Sequence, residues 1–145
     1  IKSQPRANPA NAPLLEAADA AIDELAAGRR VDVAALPPPL APLFNPAVQG
    51  FLISTFSLDP ADLVAKARLP ILIVQGGKDI QVSVADAERL KAANPGAMLI
   101  ILPDANHVLK NVAGNSPSDN LAAYQAPDLP LSKGLVSGVA AFVRD

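Results

Sequence analysis

The chain has 145 residues, of which 50% are hydrophobic and 18% are charged, and its formal net charge is -2 at pH 7. This length and apolar content suffice for a folded domain with its own core, which excludes a disordered tail. The 12 basic residues are scattered and outnumbered by 14 acidic ones, so we expect neither nucleic acid nor a membrane as a partner.

Two helices separated by a proline-rich stretch are predicted in the first 58 residues. Apolar residues recur at helical spacing from Leu14 to Ala27, and Gly28 follows as a stop signal. Four prolines between Val31 and Leu43 exclude a regular helix there and favour loop or polyproline geometry. The second helix is predicted within Phe44–Leu58, where Asn45-Pro46 supplies a start and the three Phe side chains are expected in the core.

A strand, a helix and a second strand are predicted next. The continuous apolar run Pro70–Val74, closed by Gln75-Gly76-Gly77, is typical of a parallel strand buried on both faces. The pattern of Ser83–Asn94 predicts a helix with N-cap chemistry from Ser83 and Asp86. Met98–Leu102 predicts the second strand, which a right-handed crossover would place parallel to the first.

Shorter elements flank this unit. Asp59–Ala67 predicts a short helix before the first strand, and Asn111–Pro130 predicts a polar loop after the second. Ser132 is the predicted cap of a final helix, which we expect to pack on the sheet. The apolar stripe of that helix is formed by Leu135, Val139, Phe142 and Val143.

Asp79 and His107 are the candidate catalytic residues. Asp79 lies just past the first predicted strand, and His107, the only histidine, follows the second. Because the carboxyl ends of parallel strands lie at one edge of a sheet, we expect the carboxylate and the imidazole to meet. A carboxylate on one ring nitrogen fixes the tautomer, so that the other nitrogen can act as a general base. Asp104 is a rival acid, but it is too near His107 in sequence to lie on the neighbouring strand end.

The sequence has too few residues of the right type for a zinc site or a phosphate-binding loop. One His and no Cys leave a zinc site with carboxylates only, and Gly76-Gly77-Lys78 lacks the spacing of a phosphate-binding loop. We therefore expect no cofactor and no metal. The absence of Cys also excludes thiolate chemistry, but it does not distinguish the cytoplasm from the periplasm or a secreted location.

The stretch Leu69–Lys110, LPILIVQGGKDIQVSVADAERLKAANPGAMLIILPDANHVLK, resembles the carboxyl-terminal half of an α/β-hydrolase of the esterase and serine aminopeptidase type. The resemblance implies an α/β fold, the carboxyl-terminal part of an α/β-hydrolase with parallel strands and flanking helices, preceded by a helical lid. It makes residues 1–58 the lid segment and its connection, and residues 59–145 the carboxyl-terminal part of the core. It also implies that Asp79 is the acid and His107 the base of a catalytic triad.

The nucleophile of that family is missing from this chain, because none of its eight serines lies in a Gly-x-Ser-x-Gly elbow. We therefore predict a serine hydrolase that cleaves a small-molecule carboxylic ester or amide, with its Ser in a nucleophile-bearing amino-terminal half of the same enzyme. The isolated chain should be inactive. One alternative is an α/β-hydrolase with an Asp nucleophile, as in dehalogenases and epoxide hydrolases. Another is a non-catalytic α/β-hydrolase-like binding module.

Overall fold

The structure is a computed structural model that describes residues 12–114 and 116–144. Within these residues the chain forms six α-helices and two β-strands. The helices are α1 (Ala12–Ala26), α2 (Pro46–Phe56), α3 (Pro60–Lys66), α4 (Val84–Ala93), α5 (Pro117–Tyr124) and α6 (Leu135–Arg144), and the strands are β1 (Leu72–Gly76) and β2 (Met98–Leu102). None of the helices in this described part has the length and apolar character that a membrane span requires.

The chain divides into two compact units between Asp59 and Pro60, next to the boundary predicted between residues 58 and 59. In the first unit α1 packs on α2, and Gly28 follows α1 with a φ of +80°, as expected of a C-terminal stop. The proline-rich connection contains only two short 3₁₀ helices, Val33–Ala35 and Pro38–Leu40, so the predicted lack of a regular α-helix is confirmed. The buried core of this unit comprises Ala21, Leu25, Leu40 and Phe44.

The start of α2 follows its sequence signals. Asn45 Oδ1 accepts a hydrogen bond from the Ala47 N–H at 2.9 Å, and Pro46 occupies the first helical position, where its missing N–H costs nothing. Phe44 is buried as predicted, but Phe51 is 70% exposed. The expectation that all three Phe residues lie in a core is therefore wrong for Phe51.

The second unit contains the predicted strand–helix–strand arrangement. β1 and β2 pair in parallel, with each residue of β1 opposite one of β2, and α4 connects them. The predicted cap is also present, because Ser83 Oγ accepts from the Asp86 N–H at 3.3 Å and the Asp86 carboxylate accepts from the Ser83 N–H at 3.0 Å. This double contact is a capping box and fixes where α4 begins.

The predicted fold class, the carboxyl-terminal part of an α/β-hydrolase, is wrong. The described residues form six helices and a sheet of only two strands, which is too small for a core of parallel strands. Neither strand is buried on both faces, since most of β1 is only partly buried and Met98 and Ile101 of β2 are exposed. A short apolar run occurs both in half-buried strands and in fully buried central strands. The run alone does not distinguish the two, because burial depends on which elements pack against the strand.

The predicted loop Asn111–Pro130 is wrong in part, because α5 lies inside it. Ser116 Oγ caps this helix by accepting a hydrogen bond from the Asp119 N–H at 3.1 Å, and Pro117 occupies its first turn. Both are ordinary signals for a helix start. The segment is short and polar and has few apolar residues at helical spacing. Apolar periodicity therefore does not predict this helix.

The last helix packs on the sheet as predicted, although its details differ. α6 begins at Leu135, which is buried in a cluster with Leu102 of β2. Ser132 does not cap the helix with its side chain; its carbonyl accepts the Leu135 N–H at 3.1 Å. The predicted apolar stripe faces the sheet only in part, because Val139 and Val143 are exposed.

Candidate active site

Two glycines bring the turn after β1 against the loop after β2. A Cβ atom at Gly76 would lie 2.6 Å from the carbonyl oxygen of Asn106, and one at Gly77 would lie 2.5 Å from that of Pro103. No side chain fits at such distances, and the obstructing atoms belong to the backbone, which cannot rotate away. The absence of a Cβ atom therefore allows the segments that carry the two candidate residues to pack directly on each other.

The structure places Asp79 and His107 in contact, as the strand–helix–strand arrangement predicted. Nδ1 of His107 lies 2.8 Å from Oδ2 of Asp79. The Asp79 side chain is 5% exposed, whereas that of His107 is 41% exposed. The acid is thus withdrawn from solvent and the imidazole is presented to it. Their catalytic roles stay a prediction.

The carboxylate of Asp79 accepts hydrogen bonds on both oxygens. Oδ1 accepts the backbone N–H groups of Gln81 at 2.7 Å and Val82 at 3.0 Å, and Oδ2 accepts from Nε2 of Gln75 at 3.3 Å as well as facing His107. Burial acts to raise the pKa of Asp79, but the N–H groups of Val82 and Gln81 and the contact with His107 together outweigh it. The net effect is a lowered pKa, so the carboxylate is ionised at neutral pH.

An ionised carboxylate determines which nitrogen of the neutral ring carries the proton. Because the Asp79 oxygens can only accept hydrogen bonds, Nδ1 of His107 must be the donor. Nε2 of a neutral ring then keeps its lone pair. Among residues 12–114 and 116–144, no group hydrogen-bonds this second nitrogen. The arrangement can therefore accept a proton at Nε2 and stabilise the resulting imidazolium.

Asp104, the rival acid, points to a different partner. Its side chain is 63% exposed and lies 3.1 Å from Nζ of Lys78. Lys78 Nζ also donates to the carbonyl of Val112 at 2.8 Å, so the ammonium group is held on that side of the loop. No hydrogen bond or ion pair joins Asp104 to His107 in the described part of the chain. The structure thus brings Asp79, and not Asp104, to the imidazole.

A small cavity adjoins Asp79, but a metal site is not evident. In the described residues, no group of three or more His, Cys, Asp or Glu side chains could hold a metal ion. The cavity has a volume of about 210 Å³ and is lined by Gly77, Lys78, Asp79, Ile80, Gly114 and Asn120. Its walls carry the acid and the backbone of the turn that holds it.

The chain was compared with protein-family models, with curated proteins and with solved structures. No match was found in any of the three. The resemblance of Leu69–Lys110 to serine hydrolases therefore stays a prediction. What the site can do is inferred from the geometry around Asp79 and His107 alone.

Three buried amides around the pair were not predicted. Gln75 is buried near the end of β1, where its Nε2 donates to Asp79 and also to the carbonyl of Val82 at 3.0 Å. Asn106 and Asn120 are also buried, next to His107 and in α5 respectively. For Gln75 a signal was available, because an amide at the end of an apolar run is buried only when it has a partner; Asn106 and Asn120 lie in polar segments that give no such signal.

Proposed function

We propose that Asp79 and His107 are the orienting acid and the general base of a hydrolase that cleaves a carboxylic ester or amide. One observation carries the proposal: the 2.8 Å contact between Nδ1 of a partly exposed imidazole and a carboxylate that is 5% exposed. The contact leaves Nε2 free to take a proton. The same division of roles between an acid and a histidine recurs on unrelated folds, so the proposal does not depend on the α/β-hydrolase fold.

Catalysis of this type needs a nucleophile. Nε2 of His107 would remove the proton of an attacking hydroxyl, Asp79 would stabilise the imidazolium, and the proton would then pass to the leaving group. In the described part of the chain, no serine or threonine hydroxyl hydrogen-bonds His107. None of the eight serines in the whole chain lies in a Gly-x-Ser-x-Gly elbow either, so we propose that the nucleophilic serine and the oxyanion donors lie on polypeptide other than residues 1–145, either joined to this chain or bound to it.

The experiment isolates the tagged chain from its natural source, with any polypeptide that is joined or bound to it, and treats it with a fluorophosphonate. This reagent labels serines whose hydroxyl is activated by a base. We expect label on a serine outside residues 1–145, together with hydrolysis of short-chain p-nitrophenyl esters. Both should be lost in His107→Ala and kept in Asp104→Asn, the matched acid control. Label and hydrolysis that are absent, or that persist in His107→Ala, would refute the proposal.

A further inference from the structure

α5 touches both segments of the candidate active site through one residue. Nδ2 of Asn120 donates to the carbonyl of Lys78 at 2.6 Å, and the backbone carbonyl of Asn120 accepts from Nδ2 of Asn106 at 3.3 Å. Lys78 immediately precedes Asp79 in the sequence, and Asn106 immediately precedes His107. A single helical position therefore contacts the backbone of the residue before the acid and the side chain of the residue before the base.

Asn106 closes the turn that presents His107. This residue is fully buried, and its Oδ1 accepts the Lys110 N–H at 3.1 Å. Its backbone N–H also donates to the Lys110 carbonyl at 3.0 Å, and its own carbonyl accepts the Leu109 N–H at 2.9 Å. Leu109 has a φ of +58°, a left-handed conformation that is unfavourable for Leu and persists only where surrounding bonds enforce it. His107 thus lies on a tight turn whose base is the Asn106 side chain.

The orientation of the Asn120 amide is fixed by its partner. Its nitrogen must face the Lys78 carbonyl, because the opposite orientation would place two acceptors 2.6 Å apart. The other end of the amide, Oδ1, is buried without a hydrogen-bond partner in the described structure. Only the donor half of this side chain is used, and what it anchors is the backbone beside Asp79.

We infer that Asn120 and Asn106 are positioning residues, which together hold His107 at hydrogen-bonding distance from Asp79. The inference rests on the proposed function of that pair. The His107 ring is 41% exposed, so side-chain packing alone cannot fix its place. A contact of 2.8 Å ceases to be a good hydrogen bond once it lengthens by less than 1 Å, and displacements of ~1 Å at reacting groups lower rates by about 10²-fold.

Asn120→Leu tests the inference with a side chain of similar size. It removes the donor to Lys78, which leaves that carbonyl without this partner, but it also removes the unpartnered buried oxygen of Asn120. Because the two effects oppose each other, the second unit should remain folded. Because His107 is the only histidine, its Nδ1–H signal in ¹H–¹⁵N spectra is unambiguous. We expect this signal to broaden or vanish in Asn120→Leu. In the active assembly, kcat should fall about 10²-fold with KM unchanged.

Asn111→Leu is the matched control, since Asn111 is exposed and its side chain makes no hydrogen bond in the described structure. It should keep the wild-type signal. If Asn120→Leu also keeps the signal and kcat, the inference is wrong while the proposed function stands. If wild type itself lacks an Nδ1–H signal, the proposed function fails. Asn120→Ala, which adds no bulk and favours the helix, is the second variant. Failure of both variants to fold would assign Asn120 to the fold and overturn the positioning role.

Discussion

Replacing Asp79 by Asn is the sharpest perturbation of the pair, because it exchanges one acceptor for a donor without changing the shape of the side chain. Oδ1 of the new amide can still accept the N–H groups of Gln81 and Val82, which lie 2.7 Å and 3.0 Å from the present Oδ1. The turn should therefore survive, and Asn tolerates such turns well. The new NH₂ group would then lie 2.8 Å from Nδ1 of His107, where a carboxylate oxygen now lies, and Nε2 of Gln75 would lose that acceptor but keep the carbonyl of Val82.

That NH₂ group forces the ring to change tautomer. Since an amide nitrogen can only donate, Nδ1 of His107 must become the acceptor, and the ring proton moves to Nε2. Nε2 then has no lone pair with which to act as a base. We expect kcat of the active assembly to fall by about 10⁴-fold, the loss found when a triad aspartate becomes asparagine. This corresponds to about 5.4 kcal/mol of transition-state stabilisation.

The tautomer can be measured without any activity, by ¹H–¹⁵N spectra of the single imidazole at a pH where the ring is neutral. Wild type should show the proton on Nδ1 and Asp79→Asn should show it on Nε2, with similar melting temperatures for the two proteins. Asp104→Asn, whose carboxylate contacts Lys78, should behave as wild type. Retention of both the Nδ1–H signal and kcat in Asp79→Asn, or their loss in Asp104→Asn instead, would contradict the role assigned to Asp79.

Three further outcomes are expected. The purified 145-residue chain should hydrolyse p-nitrophenyl esters no faster than its His107→Ala variant, because a base and an acid without a nucleophile form no acyl-enzyme; clearly faster turnover would identify a nucleophile within the chain. A carboxyl with a folded pKa below its unfolded value of about 3.9 stabilises the protein above that pH and ceases to do so as the pH falls through the folded pKa. The pKa of Asp79 is lowered, so wild type should lose more unfolding free energy below about pH 4 than Asp79→Asn, and parallel curves would contradict this assignment. Gly77→Ala should lower the unfolding free energy by about 1–3 kcal/mol through its clash with the Pro103 backbone, whereas Gly50→Ala, whose nearest obstructing atom is 3.7 Å away, should not; equal effects in urea titrations would disprove the close-approach explanation.

Local signals in the sequence predicted the parts of the structure that depend on few neighbours. The capping box at Ser83 and Asp86, the two strands and the meeting of Asp79 with His107 all follow from residues within one strand–helix–strand unit. Chain order and strand direction suffice to bring the carboxyl ends of the strands together. That part of the candidate site could therefore be predicted.

The number of strands and the burial of single residues could not be predicted, because they depend on what packs against each element. The exposed Phe51 of α2 and the half-buried β1 carry the same apolar side chains that a complete core would use. The buried amides were missed for a related reason. Asn120 lies in a short polar helix, and only the folded structure shows that its partner is the carbonyl of Lys78.

The backbone contact at Gly76 and Gly77 links the assembly of the candidate active site to the folding of the second unit. The Gly77 N–H donates to Leu102 at 2.8 Å and the Lys78 N–H donates to Ala105 at 2.9 Å, so main-chain bonds hold the two segments together without an intervening side chain. Separating the two backbone segments that carry the acid and the imidazole requires breaking these bonds, which amounts to opening the second unit. Hydrogen exchange at these two amides should therefore report the global stability of the unit. Mutations that weaken the unit elsewhere would reduce the fraction of molecules with an assembled pair, and leave the properties of each assembled pair unchanged.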